Sequence, residues 1–85
     1  HLPKIWIDDL AVEPVCHGCD LFLPGVSKLH SNIQAADLVA IMTLKDELVA
    51  IGQAILASSE ITEQEKGAAV RVHKVFMREG TYNPP

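Results

Sequence analysis

The sequence lacks any apolar run approaching the roughly 20 residues needed to cross a bilayer, and no charged leader followed by an apolar stretch opens it. Membrane insertion and secretion therefore find no support. Cysteine is scarce. Cys16 and Cys19 are too few and too close in sequence for the disulfide framework of a small secreted domain, so a reducing, intracellular and cytoplasmic setting is expected. No second Cys-x-x-Cys exists to complete a zinc site, and His17, His30 and His73 match no zinc spacing. Redox chemistry would need the pair at the start of a helix in a βαβ unit, whereas here it stands at a helix end. The sequence also has no Gly-x-x-x-x-Gly-Lys phosphate loop, no Ser-His-Asp or Cys-His arrangement, no repeat and no low-complexity segment. No catalytic residue, metal or cofactor is expected of this chain alone.

Positive charge is also in short supply. Seven Lys and Arg against eleven Asp and Glu give a net charge of −4, which argues against broad, sequence-independent attraction to nucleic acid. The distribution matters more than the sum. Asp8, Asp9 and Glu13 lie near the start and Glu60, Glu63 and Glu65 in one segment, while Arg71, His73, Lys74 and Arg78 gather near the end. An acidic chain of this kind can still present one local basic strip.

With 85 residues the chain reads as one small domain, 1–85, too small for a large cleft. Its start at His1 and its end on Asn83-Pro84-Pro85 lead us to expect a fragment of a longer polypeptide. Hydrophobic residues make up 48% of the chain, enough to build a core.

The pattern predicts a mixed, mainly β architecture with short helices. Lys4-Ile5-Trp6-Ile7 reads as a strand, and Asp8 or Asp9 as the N-cap of a helix over about residues 10–16. Pro14 should keep that helix short, because it removes a donor and clashes with the preceding turn. Gly18 fits the C′ position. Leu21-Phe22-Leu23 stops at Pro24-Gly25, read as a turn in which glycine takes positive φ. Val26 to Leu29 is a short strand and residues 31–36 a loop. Residues 37–44 and 47–56 form the clearest hairpin, turning at Lys45-Asp46. Ser58 opens a short helical turn, read as a solvated connection that Gly67 closes. In Ala68 to Met77, Val70 and Val72 fall on one face and Val75 and Met77 on the other. A one-residue bulge near His73-Lys74 would return both pairs to the core.

"HGCDLFLPGV", "ADLVAIMTLKDELVAIGQAILASSEI" and "KGAAVRVHKVFM" resemble three consecutive signatures of a PUA domain. "HLPKIWI" and "DLVAIMTLKDELVAIG" narrow the resemblance to the C-terminal PUA domain of archaeal, dyskerin-like pseudouridine synthases of H/ACA guide-RNA particles. Cys19, where the family commonly has alanine, together with Asp8, Pro14 and the tail "REGTYNPP", departs from the pattern.

The resemblance implies a PUA-type pseudo-barrel that binds structured RNA: the lower stem and ACA end of an H/ACA guide RNA, or tRNA. It implies a separate catalytic domain of the parent chain, and other particle proteins, as partners. By motif, the RNA contacts would come from His17, Gly18, Cys19, Asp20 and Leu21, with Pro24 and Gly25 shaping the turn. Arg71, Val72, His73 and Lys74 would add the strand side, with Arg78 beyond. Bland readings stand beside these roles. Gly18 and Gly25 can serve turn geometry alone, Arg71, His73 and Lys74 can be solvated strand residues, and Asp20 can cap backbone donors. A PUA module of another RNA-modifying or translation-associated protein, or a protein-interaction domain, fits the same residues. Cys16 is expected to pack inward and Cys19 to border the RNA surface.

Overall fold

A computed structural model describes residues 2–83; His1, Pro84 and Pro85, which framed the expectation of a fragment, lie outside the described residues. The elements run β1 (Lys4–Ile7), α1 (Asp9–Cys16), β2 (Leu21–Phe22), a 3-10 turn (Leu23–Gly25), β3 (Val26–Leu29), β4 (Leu38–Met42), β5 (Leu48–Ala54), α2 (Ser58–Glu63) and β6 (Ala68–Val75). All six strands form one sheet in the order β2-β6-β5-β4-β1-β3. Its two end strands, β2 and β3, are joined by only the three residues Leu23–Gly25. The sheet must therefore curl until its ends meet, which makes the mainly β, nearly closed barrel that the pattern implies.

Apolar side chains at alternate strand positions fill the barrel: Ile5 and Ile7 from β1, Val39 and Ile41 from β4, and Val70 from β6 are fully buried. Helix α1 closes one side with Val12 and Val15. Asp8 takes the extended N-cap conformation, but its side chain makes no cap bond. Pro14 lies inside the helix, which ends two residues later. There the Gly18 N–H donates to Val15 O (2.9 Å) and the Cys19 N–H to Pro14 O (3.1 Å), a Schellman end that needs the φ of +90° found at Gly18.

Gly25 does not take positive φ, contrary to the sequence reading. It is needed for close approach: a Cβ there would lie 2.9 Å from Ala11 Cβ and 3.3 Å from Leu21 Cδ1. A second correction concerns α2, which is more than a solvated connection. Ile61 is buried beneath it, and the Ser58 hydroxyl donates to Ser31 O (2.7 Å), pinning the 31–36 loop. One apolar residue among three glutamates was enough to anchor the segment.

The hairpin turns where expected, with Asp46 at φ +63° and the buried Thr43 hydroxyl accepting from the Lys45 and Glu47 N–H groups, each at 3.1 Å. The bulge on β6 falls at His73: Ile51 pairs with Lys74 and Gly52 with Val72, leaving His73 unopposed. Val72, Val75 and Met77 consequently all pack against the core.

Candidate nucleic-acid interface

The fold brings the two separately predicted halves of the site together. Strand β2 pairs with β6 through Leu21↔Val70 and Phe22↔Ala68. One step further, the Asp20 Oδ1 accepts the Val72 N–H at 3.2 Å, so a side chain prolongs the ladder past the end of the strand. The 17–20 loop is thus fastened beside the bulged, basic part of β6.

His17, Gly18, Cys19 and Pro24 are exposed, as are Arg71, His73, Lys74 and Arg78. Asp20, Gly25 and Val72 are half-buried. Leu21 points into the core at 1% exposure, which leaves only its backbone to meet a ligand. The bulge turns His73 and Lys74 outward in succession, giving the strip a denser array of donors than regular alternation allows.

Carboxylates frame the loop. The His17 ring lies between the half-buried Glu13 (3.3 Å) and the exposed Glu79 (3.3 Å). Glu13 also accepts the Gly80 N–H at 2.6 Å, and the Tyr82 hydroxyl donates to Asp9 at 2.5 Å. The hydrogen bond to Asp9 favours the neutral phenol and pushes the Tyr82 pKa up to about 12. Lys45 donates to the Asn83 carbonyl. Residues 78–83 therefore strap α1 from outside, an arrangement the sequence reading missed. Tyr82 was the available signal, a lone aromatic in a polar tail.

Between α1 and β2 lies a cleft of about 120 Å³, bordered by Ala11, Pro14, Asp20, Phe22 and Gly25. It puts an apolar wall and one carboxylate beside the loop. The exposed rings of Phe22 and Phe76 were also missed; Phe22 follows the inward Leu21 in β2, so strand alternation alone places it outside. The Lys74 ammonium sits 5.3 Å from the Phe76 ring centroid. A larger hollow of about 280 Å³, bordered by Leu29, Ser31, Ser58, Ser59 and Thr62, shares no residue with this surface.

Both cysteines are free thiols. Cys16 packs inward, where burial, with smaller contributions from Glu13 and Glu79, raises its pKa. Cys19 is exposed at the loop. Among the described residues no helix is long and apolar enough to cross a membrane.

The family model described as the PUA domain matches residues 3–76. Over 82 residues the chain is 60% identical to the probable tRNA pseudouridine synthase B of Pyrococcus furiosus, covering 96% of this chain and 24% of that protein. Among solved structures it is similar to a chain in an H/ACA RNP bound to a substrate RNA containing 2′-deoxyuridine, with a TM-score of 0.95, 59% identity, and coverage of 98% of this chain and 26% of that one. It is also similar to a chain of the archaeal box H/ACA sRNP Nop10-Cbf5 complex, with a TM-score of 0.92, 57% identity, and coverage of 94% and 26%. The chain spans about a quarter of the length of the curated relatives it matches.

Proposed function

The chain belongs to the PUA domain family, and from that premise we propose that it is the RNA-gripping module of a pseudouridine synthase. It anchors an H/ACA guide RNA by its lower stem and ACA end, or a tRNA, while a separate catalytic domain isomerises a uridine. The module is one domain of a longer, cytoplasmic polypeptide and carries no chemistry of its own. Its partners are structured RNA, that catalytic domain, and other particle proteins such as the Nop10 of the related complex.

The observation that carries this reading is the Asp20–Val72 bond, which welds the glycine-containing loop to the basic strand in one continuous surface. Cations at Arg71, Lys74 and Arg78 suit phosphates. The cleft and exposed Phe22 suit an unstacked base, because single-stranded RNA is read by stacking and by base-edge contacts. His17, Gly18, Cys19 and Asp20, with the Leu21 backbone, supply the loop wall; Pro24 and Gly25 set its distance from α1.

Mechanistically the module positions. RNA bound here is held in a fixed relation to a remote active site, and that loss of freedom is taken from binding before the chemical step begins.

Fluorescence anisotropy of the chain tests this, using a hairpin with a single-stranded ACA tail against the same hairpin with the tail scrambled, at two salt concentrations. A preference for the ACA tail is expected, and Arg71→Ala and Lys74→Ala should weaken binding to both hairpins without removing it. Salt-sensitive binding without preference leaves a general RNA-binding PUA module, and absence of binding to either hairpin, with or without the parent polypeptide, overturns the RNA role.

A further inference from the structure

Most of the accessible rings already have a partner. The Lys28 ammonium lies over Trp6 at 4.7 Å, and His30 meets the same ring edge-on at 5.1 Å. Lys45 lies over Tyr82 at 5.4 Å and Lys74 over Phe76 at 5.3 Å. His17 is different. Its side chain is 54% exposed, and among the described residues no aromatic ring or ammonium is stacked on it. What holds it is at its edges: Nε2 lies 3.3 Å from Glu13 Oε2, and Nδ1 lies 3.3 Å from Glu79 Oε1.

Both carboxylates are placed by backbone. Glu13 stands one helical turn before His17, and its other oxygen, Oε1, accepts the Gly80 N–H at 2.6 Å. Glu79 sits in a turn closed by the Arg78 carbonyl, which accepts the Thr81 N–H (3.3 Å) and the Thr81 hydroxyl (2.6 Å), with Gly80 at φ +75°. The stem of the ring is fixed too, because the His17 N–H donates to Glu13 O and Pro14 O, each at 3.1 Å. One exposed ion pair would not hold a side chain. Two carboxylates at different nitrogens, joined through Gly80, together with the fixed backbone set the plane of the ring.

The edges of the ring are consumed, and a phosphate brought to either nitrogen would stand beside a carboxylate and be repelled. The face is what remains open, and an unpaired base stacks on such a face. We propose that His17 is a stacking platform for an unpaired base of the bound RNA, with Glu13 and Glu79 as positioning residues that present its face. The inference rests on the reading under Proposed function. It gives the bound strand an orientation: bases toward the 17–20 loop, and phosphates toward Arg71 and Lys74 on β6, to which Asp20 fastens that loop.

Proton NMR of the 85-residue chain, titrated with the ACA-tailed hairpin, tests the inference. His17 is one of four histidines, and its ring signals are those missing from the spectrum of His17→Ala. A stacked base should move both His17 ring-proton signals upfield. Glu13→Gln combined with Glu79→Ala, which keeps an acceptor for the Gly80 N–H but frees the ring, should reduce that shift; an unchanged shift removes the positioning role. In anisotropy, His17→Ala should weaken binding about fivefold or more, the lower end of what one base–aromatic stack gives, with the salt slope unchanged. His17→Phe, equally uncharged but flat, should recover most of the loss. Recovery in His17→Lys but not in His17→Phe, or a flattened slope in His17→Ala, assigns His17 to phosphate and overturns the inference. So do His17 signals that stay in place while the hairpin binds, a result that leaves the RNA role standing. Absence of binding to the hairpin, with or without the parent polypeptide, removes the RNA role and the stacking with it.

Discussion

Asp20 accepts the backbone N–H of Val72 at 3.2 Å, a bond between residues 52 positions apart in the chain. It does structurally what a further β2–β6 ladder bond would do, in a loop that cannot continue the strand. Replacing it by alanine leaves a half-buried N–H unpaired. Asp20→Ala should lower stability by about 1–2 kcal/mol in urea denaturation, and Asp20→Asn, which keeps an acceptor oxygen, should recover most of it. RNA affinity should follow the same order, Ala weakest, because the loop is no longer fastened to the basic strand.

Gly25 and Ala11 are matched in size across the α1 contact. Gly25→Ala should destabilise by about 1–3 kcal/mol, since its new Cβ meets Ala11 Cβ at 2.9 Å and the helix must shift. Ala11→Gly alone costs about 1 kcal/mol through helix propensity, yet combined with Gly25→Ala it should reduce the clash. A double-mutant cycle therefore gives a total smaller than the sum of the single changes. Simple additivity would refute the contact.

How much of this was legible in the sequence follows from how local each cause is. The hairpin at Lys45-Asp46, the Gly18 helix end and the β6 bulge were readable, because periodicity and turn chemistry act over a few residues. The bulge could be placed from Val70, Val72, Val75 and Met77 alone. Gly25 was misread because its constraint comes from Ala11, fourteen positions away, and leaves no trace in its neighbours. The loop and strand of the proposed RNA site were named through a family resemblance, but their joining by Asp20 depends on β2–β6 pairing across some fifty residues. The strap of residues 78–83 was missed for the same reason: Glu13, Asp9 and Lys45 receive it from the far end of the chain.

Tyr82 reports on that strap. Its pKa is raised from 10.0 to about 12, chiefly by the hydrogen bond it donates to Asp9, so the folded protein holds the phenolic proton more tightly than the unfolded chain. The stabilisation is full below pH 10, where both states are protonated, and is lost as the pH rises from about 10 to about 12. As the chain has a single tyrosine, phenolate absorbance near 295 nm should titrate near the upper value and shift toward 10 in Asp9→Ala. A midpoint unchanged by Asp9→Ala would count against the contact.

The two thiols should separate kinetically. Cys19 is exposed, whereas Cys16 is buried and has a raised pKa, which lowers its reactive thiolate fraction. Iodoacetamide at mildly alkaline pH should modify one thiol per folded chain and two in denaturant, with peptide mapping placing the first at Cys19. Cys19→Ser should abolish the fast reaction and leave stability unchanged.

Arg71 and Lys74 differ from the other proposed contacts in that their contribution is electrostatic and so readable from salt dependence. Neutralising one phosphate of single-stranded RNA adds about −0.7 to the slope of log K against log salt concentration, and up to about −0.9 on a duplex. Arg71→Ala and Lys74→Ala should each flatten that slope by roughly one such step and weaken binding to the ACA-tailed and scrambled hairpins alike, since phosphates carry no sequence. Phe22→Ala should do the reverse: the slope stays, while affinity falls for a tail whose base stacks in the α1–β2 cleft. If Phe22→Ala flattened the slope, or Arg71→Ala left it untouched, the assignment of stacking to the cleft and phosphate contact to β6 would be wrong, because only a cation's removal changes the number of counterions released.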